Sequence, residues 1–172
     1  DYLALNPQGL VPALTDGDAV LAQSLAILEY LDERWPEPPL LPAAPVERAR
    51  VRALAQAVAC DIHPLNNLRV LKYLARDLGL DEAKRLTWYR HWIATGLAAL
   101  EALTTGHPAT ATYCHGERPT MADICLVPQI FNAKRYDCPL DAYPTLTRIF
   151  DTCMALPAFD KAQPAKQPDW VE

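Results

Sequence analysis

Residues 60–69 read Cys-Asp-Ile-His-Pro-Leu-Asn-Asn-Leu-Arg, which places an imidazole, two carboxamides and a guanidinium inside what otherwise reads as one long amphipathic helix. His63 and Asn67 are four apart and share a helix face, while Asn66 and Arg69 are three apart on an adjoining face. A proline inside a helix removes a hydrogen bond and crowds the preceding turn, so Pro64 predicts a kink. Such a kink gathers these polar groups around one concave spot, as the lining of a site requires. The wheel also allows a plainer outcome. At about 100° per residue, Val51, Leu54, Val58, Ile62 and Leu65 fall on one stripe, and Leu71, Leu74 and Leu78 lie roughly half a turn away. The buried face then changes side near Pro64, the helix continues through the kink, and Arg69 faces solvent. Metal chemistry is a third possibility. Cys60 and His63 are three apart and Cys114 adjoins His115, but neither has a second pair at ligand spacing, so no metal site is expected.

The elements that must position this cluster can be read on either side of it. Two short apolar runs, 10–14 and 19–23, flank Asp16-Gly17, a hairpin signal. Pro12 within the first run marks either an edge strand or a place where the strand does something other than pair. Ser24 reads as the N-cap of a helix carrying Leu25, Leu28 and Leu31 that stops before Pro36. Five prolines within residues 36–45 make a stiff linker and a domain boundary. Beyond it the chain reads as helical at 46–78, 81–105, 119–135 and 143–156, with a Pro-rich, irregular tail. Thr120 and Asp123 form a capping box, with Asp in place of the more usual Glu. Trp88, Tyr89 and Trp92 have helical spacing and read as core or interface packing.

The composition narrows the classes of function. The chain has 172 residues with a formal net charge of −5, which disfavours a nucleic-acid footprint. Its residues are 51% hydrophobic, yet no apolar run is long enough to span a bilayer. No charged-then-apolar leader opens it. The five cysteines are scattered and without a Cys-x-x-Cys pair, as expected of a reduced, cytoplasmic protein.

The strings NPQGLVPAL, QSLAILEYL, DIHPLNNLRVLKYL and MADICLVPQ, within 5–169, together resemble the zeta-class glutathione transferases, the maleylacetoacetate and maleylpyruvate isomerases. The DIHPLNN wording looks particularly like maleylpyruvate isomerase; the maleylacetoacetate enzymes more often carry Gln where His63 stands. The resemblance implies a mostly α fold, an incomplete thioredoxin-like α/β domain followed by an all-α helical bundle. It divides the chain into 1–35, the remainder of a glutathione-binding domain; 36–45, the linker; and 46–172, the helical domain with the substrate site. The family's opening βαβ unit, with its Ser-Ser-Cys-type thiol-activating motif, has no counterpart here. Against a thioredoxin-like domain of about 80 residues, roughly forty are expected upstream.

Carried over by the resemblance, Pro12 matches a cis-proline that turns the Val11 backbone toward the cysteinyl part of glutathione. Gln23 and Ser24 match the pair that holds its γ-glutamyl end, where a helix N-terminus favours a carboxylate. His63 and Asn67 match positions beside the sulfur, and are the expected catalytic residues. Arg69 and Arg135 match positions near the second substrate, a small dicarboxylic acid that Arg can hold bidentately. On its own, Arg135 is equally an ordinary basic residue at a helix C-terminus. The implied activity is a glutathione-dependent cis–trans isomerisation in aromatic catabolism, performed by a homodimer. The alternatives are a conjugating, dehalogenating or peroxide-reducing transferase, or a non-enzymatic assembly module.

Overall fold

The computed structural model describes residues 1–168 and residue 170. A one-turn helix, α1 (Tyr2–Leu5), opens it, capped by the Asp1 carboxylate, which accepts from the Leu3 N–H. Tyr2 Oη and Asn6 Nδ2 both donate to the Leu10 carbonyl, at 2.5 and 2.6 Å, and so tie down the chain just before Val11. Strands β1 (Ala13–Asp16) and β2 (Ala19–Ala22) pair antiparallel with Ala13 opposite Ala22. The turn between them is Gly17-Asp18, and Gly17 takes the positive φ of +57° that a tight hairpin needs.

Helix α2 (Ser24–Arg34) starts one residue earlier than its serine suggests. Gln23 is the N-cap, at φ 74°, and Ser24 is the first helical residue. The serine hydroxyl makes no capping bond, which corrects the expectation of an N-cap at Ser24.

Residues 36–44 form neither helix nor strand, as five nearby prolines dictate. This segment is nevertheless pinned. The Leu40 N–H donates to Asp32 Oδ1 at 2.5 Å, its carbonyl accepts from the Met121 N–H at 3.0 Å, and Leu41 is 4% exposed. An ion pair between Arg52 Nε and Glu29 Oε1, at 2.7 Å, spans the same join.

The helical part comprises α3 (Pro45–Gln56), α4 (His63–Asn66), α5 (Leu68–Arg76), α6 (Glu82–Thr104), α7 (Met121–Arg135), α8 (Pro144–Met154) and α9 (Pro157–Lys161). Helix α7 lies against α3 and α8, and α6 packs on α8. Val51, Ile62, Ile93, Leu97, Ile130, Leu146 and Ile149 form the centre of the core, each at 1% exposure or less. The capping box of α7 is present: Asp123, fully buried, accepts from the Thr120 N–H and hydroxyl and from the Cys114 N–H, all within 2.8 Å. Arg50 ties down the preceding loop through the Cys114 carbonyl and the Thr110 hydroxyl, both at 2.8 Å. The tail is less irregular than its prolines suggest, with α9 and a 3₁₀ turn at Pro164–Lys166.

The helix expected over 46–78 is four pieces. Between α3 and α4 runs a π-helical turn, Ala57–Ile62, in which the His63 N–H reaches back to the Val58 carbonyl. This wider turn comes just before Pro64, where the ring would otherwise crowd the carbonyl four residues back. The extra residue rotates everything after it, so the face change begins before the proline. A full break follows at Asn67, which ends α4 at ψ 161° and caps α5, its side chain accepting from the Val70 N–H. The helix does not continue through residues 60–69; it ends and restarts there.

Candidate active site

Val11 stands at the edge of the hairpin, 83% exposed, with a cis peptide bond to Pro12. Its N–H and C=O make no hydrogen bond among the described residues, because β1 pairing begins two residues later. The edge-strand reading of Pro12 therefore gives way to the cis form. Strand β2 leads directly into Gln23 and the exposed Ser24, at the N-terminus of α2. The Gln23 side chain donates to Gln8 Oε1 at 2.8 Å, across to the loop that precedes Val11. A free backbone donor and acceptor thus lie on the hairpin that delivers the chain to a helix N-terminus. That combination suits a peptide backbone and a carboxylate.

The bend at 57–67 sets the second group of side chains. Asn66 turns inward, 7% exposed, and donates to the Tyr89 carbonyl at 3.3 Å. Trp88 Nε1 donates to the Leu65 carbonyl at 2.9 Å, an acceptor that the break at Asn67 leaves without its helical partner. Ile62 presses into α6 at Gly96, where an added Cβ would lie 2.2 Å from Ile62 Cγ1. With Asn66 and Ile62 held inside, His63 and Arg69 face outward and Asn67 is half-buried. Desolvation of the ring lowers the His63 pKa below its ordinary value, although the residue keeps solvent access, so the imidazole is neutral at pH 7. Asn67 spends its oxygen on the α5 cap, which leaves its amide as a donor.

Arg135 ends α7, exposed to solvent. Burial raises the pKa of the Tyr89 phenol. The Tyr89 ring stacks on Tyr136, with centroids 3.9 Å apart. Both tyrosines belong to a cleft of about 420 Å³ between α5 and α6, which Lys72, Arg76 and Arg85 also line. None of the eight residues singled out from the sequence lines it. The structure brings Val11, Pro12, Gln23 and Ser24 to one hairpin-and-helix corner, and His63, Asn67 and Arg69 to one bend. The cleft cations were missed. A signal for them was present in the sequence, because Arg69, Lys72 and Arg76 recur at i, i+3 and i+7 along one side of α5. Among the described residues no three His, Cys, Asp or Glu side chains gather as metal ligands.

Glutathione S-transferase family models match this chain twice, the N-terminal domain over residues 1–34 and the C-terminal domain over 93–157. A probable maleylacetoacetate isomerase of Vibrio cholerae is 49% identical over 169 residues, covering 98% of this chain and 78% of the relative. The chain belongs to the maleylacetoacetate and maleylpyruvate isomerase family of glutathione transferases. A maleylpyruvate isomerase of a Ralstonia species is likewise 49% identical, over 98% of this chain and 79% of the relative. The holo structure of a maleylpyruvate isomerase, described as a bacterial zeta-class glutathione S-transferase, superposes with a TM-score of 0.96 at 49% identity. It covers 99% of this chain and 80% of that one. A maleylacetoacetate isomerase of Methylobacterium extorquens with bound malonate and glutathione gives 0.94 at 42% identity, covering 99% of this chain and 80% of that one. The mostly α, glutathione transferase-like fold expected from the sequence is therefore the observed one.

Proposed function

We propose that this protein is a glutathione-dependent cis–trans isomerase that converts a maleyl dicarboxylic acid, maleylpyruvate or maleylacetoacetate, into its fumaryl isomer during the breakdown of aromatic compounds. The observation that carries this reading is near-half identity to isomerases of those names over 98% of the chain, a span that includes residues 60–69.

When bound, glutathione supplies the thiol whose reversible addition to the cis double bond frees that bond to rotate. The chain's own residues do the rest. The Val11 N–H and C=O hold the tripeptide backbone, and Gln23 with Ser24 and the first N–H groups of α2 hold the γ-glutamyl end. His63 and Asn67 border the sulfur. The Asn67 amide donates to it and so favours the thiolate, while the neutral His63 ring can accept a proton from the thiol or donate to the sulfur. Arg69 and Arg135 hold the substrate carboxylate beside the double bond and meet the negative charge that develops on its carbonyl oxygens. Residues 1–35 thus hold the backbone and γ-glutamyl end of glutathione, and 46–172 its sulfur and the acid, across the linker at 36–45. The working form is a homodimer in the cytoplasm; five unpaired cysteines and the absence, among the described residues, of a helix able to cross a membrane support that setting.

An isomerase assay on the full-length protein, with maleylpyruvate and maleylacetoacetate side by side, tests the reading. Glutathione-dependent conversion of either is the expected result, and conversion of neither refutes it. Light scattering that finds a monomer removes the dimer.

A further inference from the structure

A helix that breaks releases backbone carbonyls and amides, and the partners these groups find decide whether the break persists. In an unbroken α-helix the Leu65 carbonyl would accept from the Arg69 N–H, four residues on. Here Asn67, at ψ 161°, turns the chain between them. The Arg69 N–H then has no acceptor among the described residues. The Leu65 carbonyl accepts instead from Trp88 Nε1 on α6, at 2.9 Å. The indole stands in for the Arg69 amide.

No neighbouring contact duplicates this one. Asn66 Nδ2 reaches the Tyr89 carbonyl only at 3.3 Å, and Asn66 Oδ1 is shut off from solvent without a partner. That is a long bond beside one of ordinary length. Asn67 serves α5: its side chain and its carbonyl both accept from the Val70 N–H, and its carbonyl also from the Leu71 N–H. Trp88 is itself steadied edge-on by Trp92, with ring centroids 5.7 Å apart at 64°. Between the indole and the break lies α4, the four residues that begin with His63. The orientation of that short turn sets where the His63 ring points, and the break sets how Asn67 and Arg69 leave it.

We propose that Trp88 is a positioning residue of the isomerase site: by occupying the Leu65 carbonyl it keeps the Arg69 N–H from reclosing the helix, and so holds the bend that presents His63, Asn67 and Arg69. What the bend does rests on the isomerase reading; that the indole holds it open does not. Trp88 acts through the Leu65 backbone and not on the reacting atoms.

Two replacements in the full-length protein separate the donor from the ring. Trp88→Phe keeps an aromatic ring and loses the N–H, while Trp88→Gln keeps an N–H donor and loses the ring; thermal unfolding checks that each folds. Trp88→Phe should lower kcat/KM for maleylpyruvate about tenfold with glutathione affinity nearly constant, and Trp88→Gln should keep most of the activity. Packing alone predicts the reverse order. Two NMR readings need no substrate. The His63 ring, whose pKa desolvation lowers, should titrate closer to 6.5 in Trp88→Phe as the bend gives way, and stay low in Trp88→Gln. The Arg69 amide of the unaltered protein should exchange with solvent as an unbonded amide does, and about tenfold more slowly in Trp88→Phe, where the Leu65 carbonyl is free to accept it. A protected Arg69 amide in the unaltered protein, an unmoved His63 midpoint in Trp88→Phe, or equal losses in the two variants overturns the proposal. Absence of turnover by the unaltered protein, with both NMR results as expected, counts against the isomerase reading alone.

Discussion

At the scale of single residues, charge placement decides what can be tested. Arg69 is exposed and follows the break at Asn67 by two residues, so its guanidinium is free to meet a ligand rather than committed to the fold. Replacing Arg69 or Arg135 with Ala should raise KM for maleylpyruvate by about tenfold or more, since a hydrogen bond to a charged group contributes about 1.5–3 kcal/mol. Glutathione affinity, read by calorimetry, should stay nearly constant; if KM stays constant too, the carboxylate clamp is wrong. Glu101 shows the structural use of charge. Burial acts to raise its pKa, but bonds from the Thr145 hydroxyl and N–H, the Thr105 hydroxyl and the Leu146 N–H outweigh that, and the net pKa is lowered. The carboxylate accepts from the Thr145 and Leu146 amides at 2.9 and 3.0 Å, so it caps α8 from α6. A lowered carboxyl pKa contributes stability that is complete above the ordinary value of 4.5 and is lost as pH falls through the folded one. Glu101→Gln should therefore destabilise by about 1 kcal/mol at pH 7 and by much less near pH 3, in urea unfolding followed by circular dichroism. An equal loss at both pH values would show that the charge is irrelevant.

At the scale of elements, α6 is the unbroken helix against which the interrupted one packs. Gly96 provides the notch for Ile62, Trp88 takes up the spare Leu65 carbonyl, and the Tyr89 backbone receives Asn66. Gly96→Ala should destabilise by about 1–3 kcal/mol, because its methyl would overlap a buried branched side chain. Ile62→Ala should recover part of that in the double mutant, and independent, additive losses would mean the two do not touch. The hairpin, α6, α8 and the α7 capping box were legible from the sequence because each rests on local rules: turn glycine, apolar period, N-terminal box. The π turn was not. It sits opposite a distant glycine across the core and just before a proline, and a helical wheel assumes a uniform rotation per residue that this turn breaks. Ser24 misled for a related reason. A good capping residue stood beside Gln23, whose positive φ was set by the strand entering it.

At the scale of the whole molecule, a few polar contacts tie α2, the 36–44 segment, α7 and the loop at Cys114 together. Asp123 is central, because one carboxylate both starts α7 and anchors the loop at Cys114. Asp123→Ala should cost about 2–4 kcal/mol, by denaturant midpoint, since it leaves buried donors unpaired as well as removing a cap. A loss within 0.5 kcal/mol of zero, about the scatter of surface changes, would contradict that role. The site as a whole was only partly legible. Residues whose type betrays them, such as the proline in a strand or the arginine after two asparagines, could be named in advance. The cleft was less so: Lys72 and Arg76 share a side of α5 in the sequence pattern, but Arg85 joins them only when α6 folds back beside α5. Leu40 adds a consequence of its own. Both of its backbone groups are bonded, one to Asp32 and one to Met121, inside the segment whose composition most resembles a loose tether. A protease must draw roughly ten residues of extended chain into its own cleft, and this strap cannot be lifted without uncapping α7. Limited digestion should therefore spare residues 36–44, and the two parts of the protein should travel as one piece through any purification that survives nicking elsewhere.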